Sequence, residues 1–324
     1  QMKLPSIPHK VVHVVSLSGG KDSLATALIA LQRCPKGSVL FIFCDTGNEH
    51  EQTYAYLDYL EGALGVKVHR LRADFTEQLA AKRVFIARDS WGWDGGRKLR
   101  WSNKAKRRAL AALFPSGNPF LDLCMWKGRF PSRKAQFCTE ELKINMAVGF
   151  QLDLMEAGHR VISWQGVRRD ESENRRRAKK VERVGRGLWI MRPIVDWTAE
   201  QVFALAKAHG IKHNDLYKQG MTRVGCMPCI NVNKSELRAI DLRFPDHIRR
   251  ISEWEQKVSA CSKRNFSTFT AGAHSNKDRR VVFYDLNIWA RIEWSKTTRG
   301  GRQFDLLAVL DDGKACSSAY GLCE

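Results

Sequence analysis

Between a run of valines and a run of helix-forming residues lies Ser18-Gly19-Gly20-Lys21-Asp22-Ser23, and no other segment restricts the fold of this chain as tightly. Lys10 to Leu17, with valines at 11, 12, 14 and 15, predicts a buried strand, and Leu24 to Cys34 predicts a helix. Ser18, Asp22 and Ser23 are helix-capping residue types. The two glycines let backbone N–H groups approach an anion that a helix N-terminus already favours. The segment therefore predicts a phosphate cradle, although a glycine-rich strand-to-helix turn also occurs as plain structure. A Walker A loop is excluded: that pattern needs a glycine five residues before Gly20 and Ser or Thr after the lysine, where this chain has Val15 and Asp22.

Strands and helices alternate through the first part of the chain. Val39 to Cys44 predicts a second strand, Glu51 to Leu64 a helix and Val66 to Leu71 a third strand; Val161 to Gly166 and Ala199 to His209 predict a later strand and helix. This order implies an α/β fold, a mostly parallel twisted sheet with helices on both faces, plus a smaller, mainly helical C-terminal part. Ligands of such sheets lie beyond the carboxyl ends of the strands, so Ser18–Ser23 and Asp45–Gly47 are expected to meet. Trp91 to Asn118 is rich in glycine, tryptophan and lysine and reads as an insertion or lid. The expected division is residues 1–205, with a basic insertion at about 82–118, and residues 206–324.

A length of 324 residues suffices for a substantial core, and no stretch approaches the roughly 18 apolar residues of a membrane span. The N-terminus does not read as a signal peptide, and nine cysteines spread over a long chain favour metal or thiol chemistry over disulfides, so the expected compartment is the cytoplasm. The formal charge of +20 is concentrated: Lys82–Arg108 carries +8, Lys127–Lys143 +3 and Arg168–Arg186 +5. Charged runs are commonly solvated faces. Here Trp91, Trp93 and Trp101 are interleaved with the first run, the composition that holds a phosphate backbone and stacks a base. A nucleic acid, DNA or tRNA, is the expected partner, with a small anionic substrate as the rival.

The Ser-Gly-Gly-Lys-Asp-Ser string resembles the signature of the PP-loop ATP pyrophosphatases, and the nearest resemblance within them is to the phosphoadenosine phosphosulfate reductase group with its phage and DNA-phosphorothioation relatives. Further matches follow in order: Phe41-Ile42-Phe43-Cys44-Asp45-Thr46-Gly47-Asn48-Glu49, Phe137-Cys138-Thr139-Glu140-Glu141-Leu142-Lys143, Gly166-Val167-Arg168-Arg169-Asp170-Glu171-Ser172 and Gly225-Cys226-Met227-Pro228-Cys229. The resemblance implies an adenine nucleotide alpha hydrolase-like fold. It implies a nucleotide site made by Ser18, Gly19, Gly20, Lys21, Asp22, Ser23, Asp45, Thr46, Gly47, Gly166, Arg168, Glu171 and Ser172. ATP or an adenylyl sulfate would occupy it, Lys21, Asp22, Asp45 and Arg168 would be catalytic, and Asp22 or Asp45 would help hold Mg²⁺.

Cys226-Met227-Pro228-Cys229 can present two sulfurs to one metal or act as a redox pair. Cluster-bearing reductases pair such a turn with upstream cysteines, and Cys138 stands at that place, with 87 residues between it and Cys226. The resemblance thus implies a 4Fe–4S cluster on Cys138, Cys226 and Cys229, with Cys124, Cys261, Cys316 or Cys323 as the fourth ligand or one iron left open; zinc on the same thiolates is the alternative. The tail, Cys316 to Glu324, departs from the Glu-Cys-Gly-Leu-His type of the sulfonucleotide reductases. Three functions follow: an ATP pyrophosphatase that adenylates a nucleic acid for sulfur insertion, served by a cysteine desulfurase or another sulfur donor; a reductase of a small sulfonucleotide; or a nucleotide-sensing, nucleic-acid-binding module.

Overall fold

A computed structural model describes residues 7–89, 93–94, 97–98, 101–270, 283–298, 303–306, 320 and 322. The chain opens with β1 (Val11–Ser16), α1 (Lys21–Arg33), β2 (Val39–Asp45), α2 (Glu51–Leu64), β3 (Val68–Arg72) and α3 (Thr76–Arg88). A two-strand hairpin, β4 (Trp93–Asp94) and β5 (Arg97–Lys98), precedes α4 (Asn103–Ala112) and α5 (Pro119–Lys127). One continuous helical run follows: α6 (Phe137–Thr139), a π turn (Glu140–Ile144) and α7 (Asn145–Glu156). Then come β6 (Arg160–Trp164), β7 (Val181–Gly185), β8 (Leu188–Met191) and α8 (Ala199–Ala208), and finally α9 (Lys234–Arg243), α10 (Pro245–Ala260), α11 (Phe283–Leu286) and α12 (Ile288–Ser295).

Six strands form one sheet in the order β3-β2-β1-β6-β8-β7, parallel throughout except for β7, which runs antiparallel to β8. The valines of β1 explain its central place: Val12, Val14 and Val15 are fully buried, alternately on the two faces, as a strand covered on both sides requires. On one face Val15 and Trp164 pack with Leu24, Leu28 and Leu57 of α1 and α2 and Val202 of α8. On the other, Val12, Val14 and Val161 pack with Phe150 and Leu154 of α7. The expected parallel α/β sheet with helices on both faces is therefore observed.

A third core joins α3, α4 and α5 to α9, α10 and α12. It corrects the lid reading of 91–118 from residue 101 onward: Ala105, Ala109 and Leu113 are buried there. Lysine and arginine dominate the sequence of α4, but its alanines face the core while the cationic side chains cover its rim. Among the described residues no helix is long and apolar enough to cross a membrane.

Candidate functional site

The turn from β1 into α1 is held from inside. Ser23 Oγ donates to Gly20 O at 2.8 Å and accepts from Ser18 N at 3.1 Å. Gly20 stands at the N-cap and offers no side-chain acceptor, so none of the expected capping residues caps α1. The Lys21 N–H donates instead to Tyr217 Oη at 2.9 Å. Lys21 itself is 5 % exposed; its ammonium lies 3.3 Å from Asp22 Oδ2 and 4.8 Å from the ring centre of Tyr320. Asp22 Oδ1 accepts from Arg168 Nε at 2.6 Å. Arg168 also grips Asp170, and although burial opposes its charge, Asp22, Asp170 and Glu171 hold the guanidinium above its ordinary range.

Gly166 brings β6 to this turn. A Cβ at Gly166 would lie 2.7 Å from Asp22 O and 2.9 Å from Ser23 N, so only glycine permits the approach. A cavity of about 550 Å³ opens beside the junction, within the size range of small-molecule sites. Ser18, Gly20, Lys21, Asp22, Ser23 and Gly166 form one wall. Glu171 lines it as well, paired with Arg175. Residues without a role in the sequence reading complete it: Glu49, Lys143, Gln151, Arg223 and an apolar side of Ile144, Val148, Leu188 and Ile190. Gln151 donates to Ser163 Oγ at 3.0 Å among these apolar groups. Glu49 and Lys143 end two of the quoted strings, a signal that proximity to the motif supplied; Tyr217 gave none.

Asp45, Thr46 and Gly47 do not line this cavity, nor do Gly19, Arg168 and Ser172. They fasten the end of β2 to its neighbours. Asp45 Oδ1 accepts from Gly47 N and Tyr54 Oη at 2.9 and 2.7 Å, and Arg72 takes Oδ2 at 3.0 Å. Gly47 has φ +74°, and a Cβ there would sit 2.8 Å from Pro119 Cδ. Thr46 Oγ1 donates to Glu49 Oε1 at 2.7 Å and lies 3.3 Å from Cys226 Sγ. Every carboxylate oxygen of Asp22 and Asp45 is therefore engaged, largely by cations. As placed they do not fit a Mg²⁺ site, because the ion would have to stand beside the charges of Lys21 and Arg168 or of Arg72.

The Cys226 turn docks against the same strip: Glu49 bridges Cys226, Met227 N donates to Asn48 O at 2.7 Å and Asn48 Nδ2 to Pro228 O at 3.0 Å. Burial pushes the Cys226 thiol up to about 12, opposed by Lys143. Burial also raises Cys138, with Cys229 adding to it. Cys124 is fully buried in the third core.

Among the described residues, no three of these sulfurs lie within 4.8 Å of one another; the group that meets this spacing is His50, Glu51 and His247. That spacing is what a single zinc ion needs, so the four cysteines as placed do not fit a closed zinc site; a 4Fe–4S cluster holds its thiolates farther apart, and Cys124, Cys138, Cys226 and Cys229 stand near enough for neighbouring thiols to raise one another. Cys316 and Cys323 lie outside the described residues. The histidine group does not fit a metal either. His50 Nδ1 accepts from Gln52 N and His247 Nδ1 stands 2.8 Å from Arg250 Nη2, so each neutral ring carries its proton on Nε2, the atom a metal would need. The two rings stack at 4.7 Å and, with Arg250 donating to Met227 O at 3.1 Å, support the cysteine turn from behind.

A 37.8 kDa uncharacterized protein of Escherichia phage 186 is 48 % identical over 97 % of both chains. A phosphoadenosine 5'-phosphosulfate reductase of Vibrio atlanticus is 25 % identical over 66 % of this chain and 64 % of its own. The solved phosphoadenylyl-sulfate reductase of Candida auris, in its phosphate complex, aligns over 68 % of this chain and 83 % of its own at 17 % identity and a TM-score of 0.39. Residues 12–232, from the second residue of β1 to just past the cysteine turn, match the phosphoadenosine phosphosulfate reductase domain, and the chain belongs to that family.

Proposed function

We propose that this protein is an ATP pyrophosphatase that adenylates a nucleic acid and prepares the activated position for sulfur. The observation that carries the reading is one cavity bounded on one side by Lys21 and the start of α1, and on the other by Glu49 and Lys143, which adjoin the Cys226 turn. A nucleotide phosphate at the start of α1 meets backbone amides of a first turn that no N-cap side chain covers, the Lys21 N–H alone being held by Tyr217, and a buried ammonium. An oxygen of the acceptor attacks the α-phosphorus; the bond to the leaving pyrophosphate breaks, and Lys21 neutralises the charge that develops. The outer sulfur of a persulfide on a donor protein, a cysteine desulfurase or one of its class, then attacks the adenylated position and AMP leaves; a second thiol cleaves the S–S bond so formed, freeing the thio product and ending in a disulfide with the donor cysteine. Arg168 holds Asp22, and through it Lys21, in place.

A second reading, reduction of a small sulfonucleotide, is supported by the names of relatives such as the Vibrio reductase. The two separate on product. Pyrophosphate release from ATP, with and without single-stranded DNA or tRNA, is expected for the first. Lys21→Ala should lower that release about a hundredfold or more while the far-ultraviolet dichroism is unchanged. Sulfite from adenylyl sulfate, with no pyrophosphate under any condition, would overturn the proposal.

A further inference from the structure

The hairpin of β7 and β8 has two usable faces. Arg183 stands opposite Trp189 and Glu182 opposite Ile190 in an antiparallel pair at the end of the sheet. Leu188 and Ile190 face the nucleotide cavity, so by strand alternation Trp189 projects from the other face. There Trp189 is 41 % exposed, with the Arg183 guanidinium 5.9 Å from its ring centre. Val181 on the edge strand is also exposed, whereas Val184 turns to the cavity side. Among the described residues β7 has no strand on its outer side.

Around this edge the cations Arg176, Arg177, Lys179, Lys180, Arg183 and Arg186 are all exposed. Of the nearby carboxylates, Glu173 pairs with Arg176 and Glu182 with Arg192. The segment is firmly mounted: Arg169 donates twice to Ala178 O, and Arg192 donates through its side chain to Lys179 O and through its backbone to Lys180 O. Its preceding turn contains Arg175, which reaches the cavity. A merely solvated face accounts for the lysines and arginines, but not for an exposed tryptophan beneath a guanidinium on an exposed strand edge.

We infer that the β7–β8 hairpin is a platform for single-stranded nucleic acid, with phosphates held by the surrounding arginines and lysines, a base stacked on Trp189, and the strand led past Arg175 to the cavity. The inference rests on the nucleic-acid reading of the acceptor proposed above and supplies the missing recognition surface. A single strand fits because an aromatic face on a sheet reaches only a base free of its own stack, whereas duplex bases offer their edges. The cationic rim supplies the sequence-independent part of the attraction.

The test uses the full chain without ATP, so that it reads binding and leaves catalysis to the pyrophosphate assay. Anisotropy of a labelled 15-nucleotide DNA or RNA strand is followed as salt is raised, beside a duplex of the same sequence. The strand should bind tighter than the duplex and quench tryptophan fluorescence. Trp189→Ala should weaken strand binding roughly tenfold. The double change Arg183→Glu, Arg186→Glu should weaken it further and flatten the salt dependence. Trp189→Ala should leave the affinity for ATP unchanged, and Lys104→Glu with Arg107→Glu on α4 should leave strand binding unchanged. Wild-type strand affinity in both hairpin variants, preference for the duplex, loss of binding only in the α4 variant, or no binding at low salt would each overturn the platform.

Discussion

Gly166→Ala tests how β6 and the start of α1 are built together. The added methyl carbon would lie 2.7 Å from Asp22 O, 2.8 Å from Asp22 C and 2.9 Å from Ser23 N. All three are backbone atoms of the first turn of α1, so no side chain can swing aside, and either the helix start or the end of β6 must move. Overpacking of this kind costs about 1–3 kcal/mol. The functional loss should exceed what that figure implies, because the moving turn carries Lys21, whose amide is fixed by Tyr217 and whose ammonium is paired with Asp22. A shift of about 1 Å at such a site costs on the order of a hundredfold in rate. Gly149→Ala is the matched control: it lies within α7, nothing stands within 4 Å of the added carbon, and alanine should stabilise by about 0.5–1 kcal/mol. Urea unfolding and titration with a fluorescent ATP analogue measure both effects. Wild-type stability together with wild-type nucleotide affinity in Gly166→Ala would refute the close approach.

Two further expectations concern buried groups. Glu255 is fully buried, and its oxygens accept from Phe269 N and Ile288 N at 2.8 and 2.9 Å. Burial raises its carboxyl from 4.5 to about 7, against those two amides. A raised folded pKa means that the folded state binds the proton more tightly, so this contribution is present below pH 4.5 and is lost as pH rises to 7. The stability of the wild type relative to Glu255→Gln should fall by about 3 kcal/mol over that interval, and a pH-independent difference would contradict the assignment. Cys124 lies in the core of α5, so Cys124→Ser should cost about 1–3 kcal/mol and leave the iron and zinc content of anaerobically purified protein unchanged; metal lost in proportion to that substitution would show it to be a ligand.

Much of the fold was legible because local patterns and burial agree. The valines of β1 and the apolar residues of α1 report the same buried unit in sequence and in space, and α2 begins and ends at the expected Glu51 and Leu64. The lid reading of 91–118 failed over α4 because composition counts its lysines and arginines, whereas packing depends on Ala105, Ala109 and Leu113. Asp45 shows a different gap. Its place at the end of β2 was evident, but Arg72 and Tyr54, which turn its carboxylate away from the cavity, come from β3 and α2, and no pattern within the motif encodes them.

The sequence alone determined the parallel α/β sheet, the glycine-rich strand-to-helix turn at its centre and the membership of the phosphoadenosine phosphosulfate reductase family, since strand period, turn chemistry and ordered motifs are local properties of the chain. The tertiary structure decided which motif residues line the cavity. It placed Glu49 and Lys143 beside the Cys226 turn, set Tyr217 against the amide of Lys21, brought Cys138 near Cys229 and exposed Trp189 on the face opposite the cavity. These are contacts between segments far apart in the chain, fixed by packing density and by the pairing of buried charges, and a linear pattern carries neither.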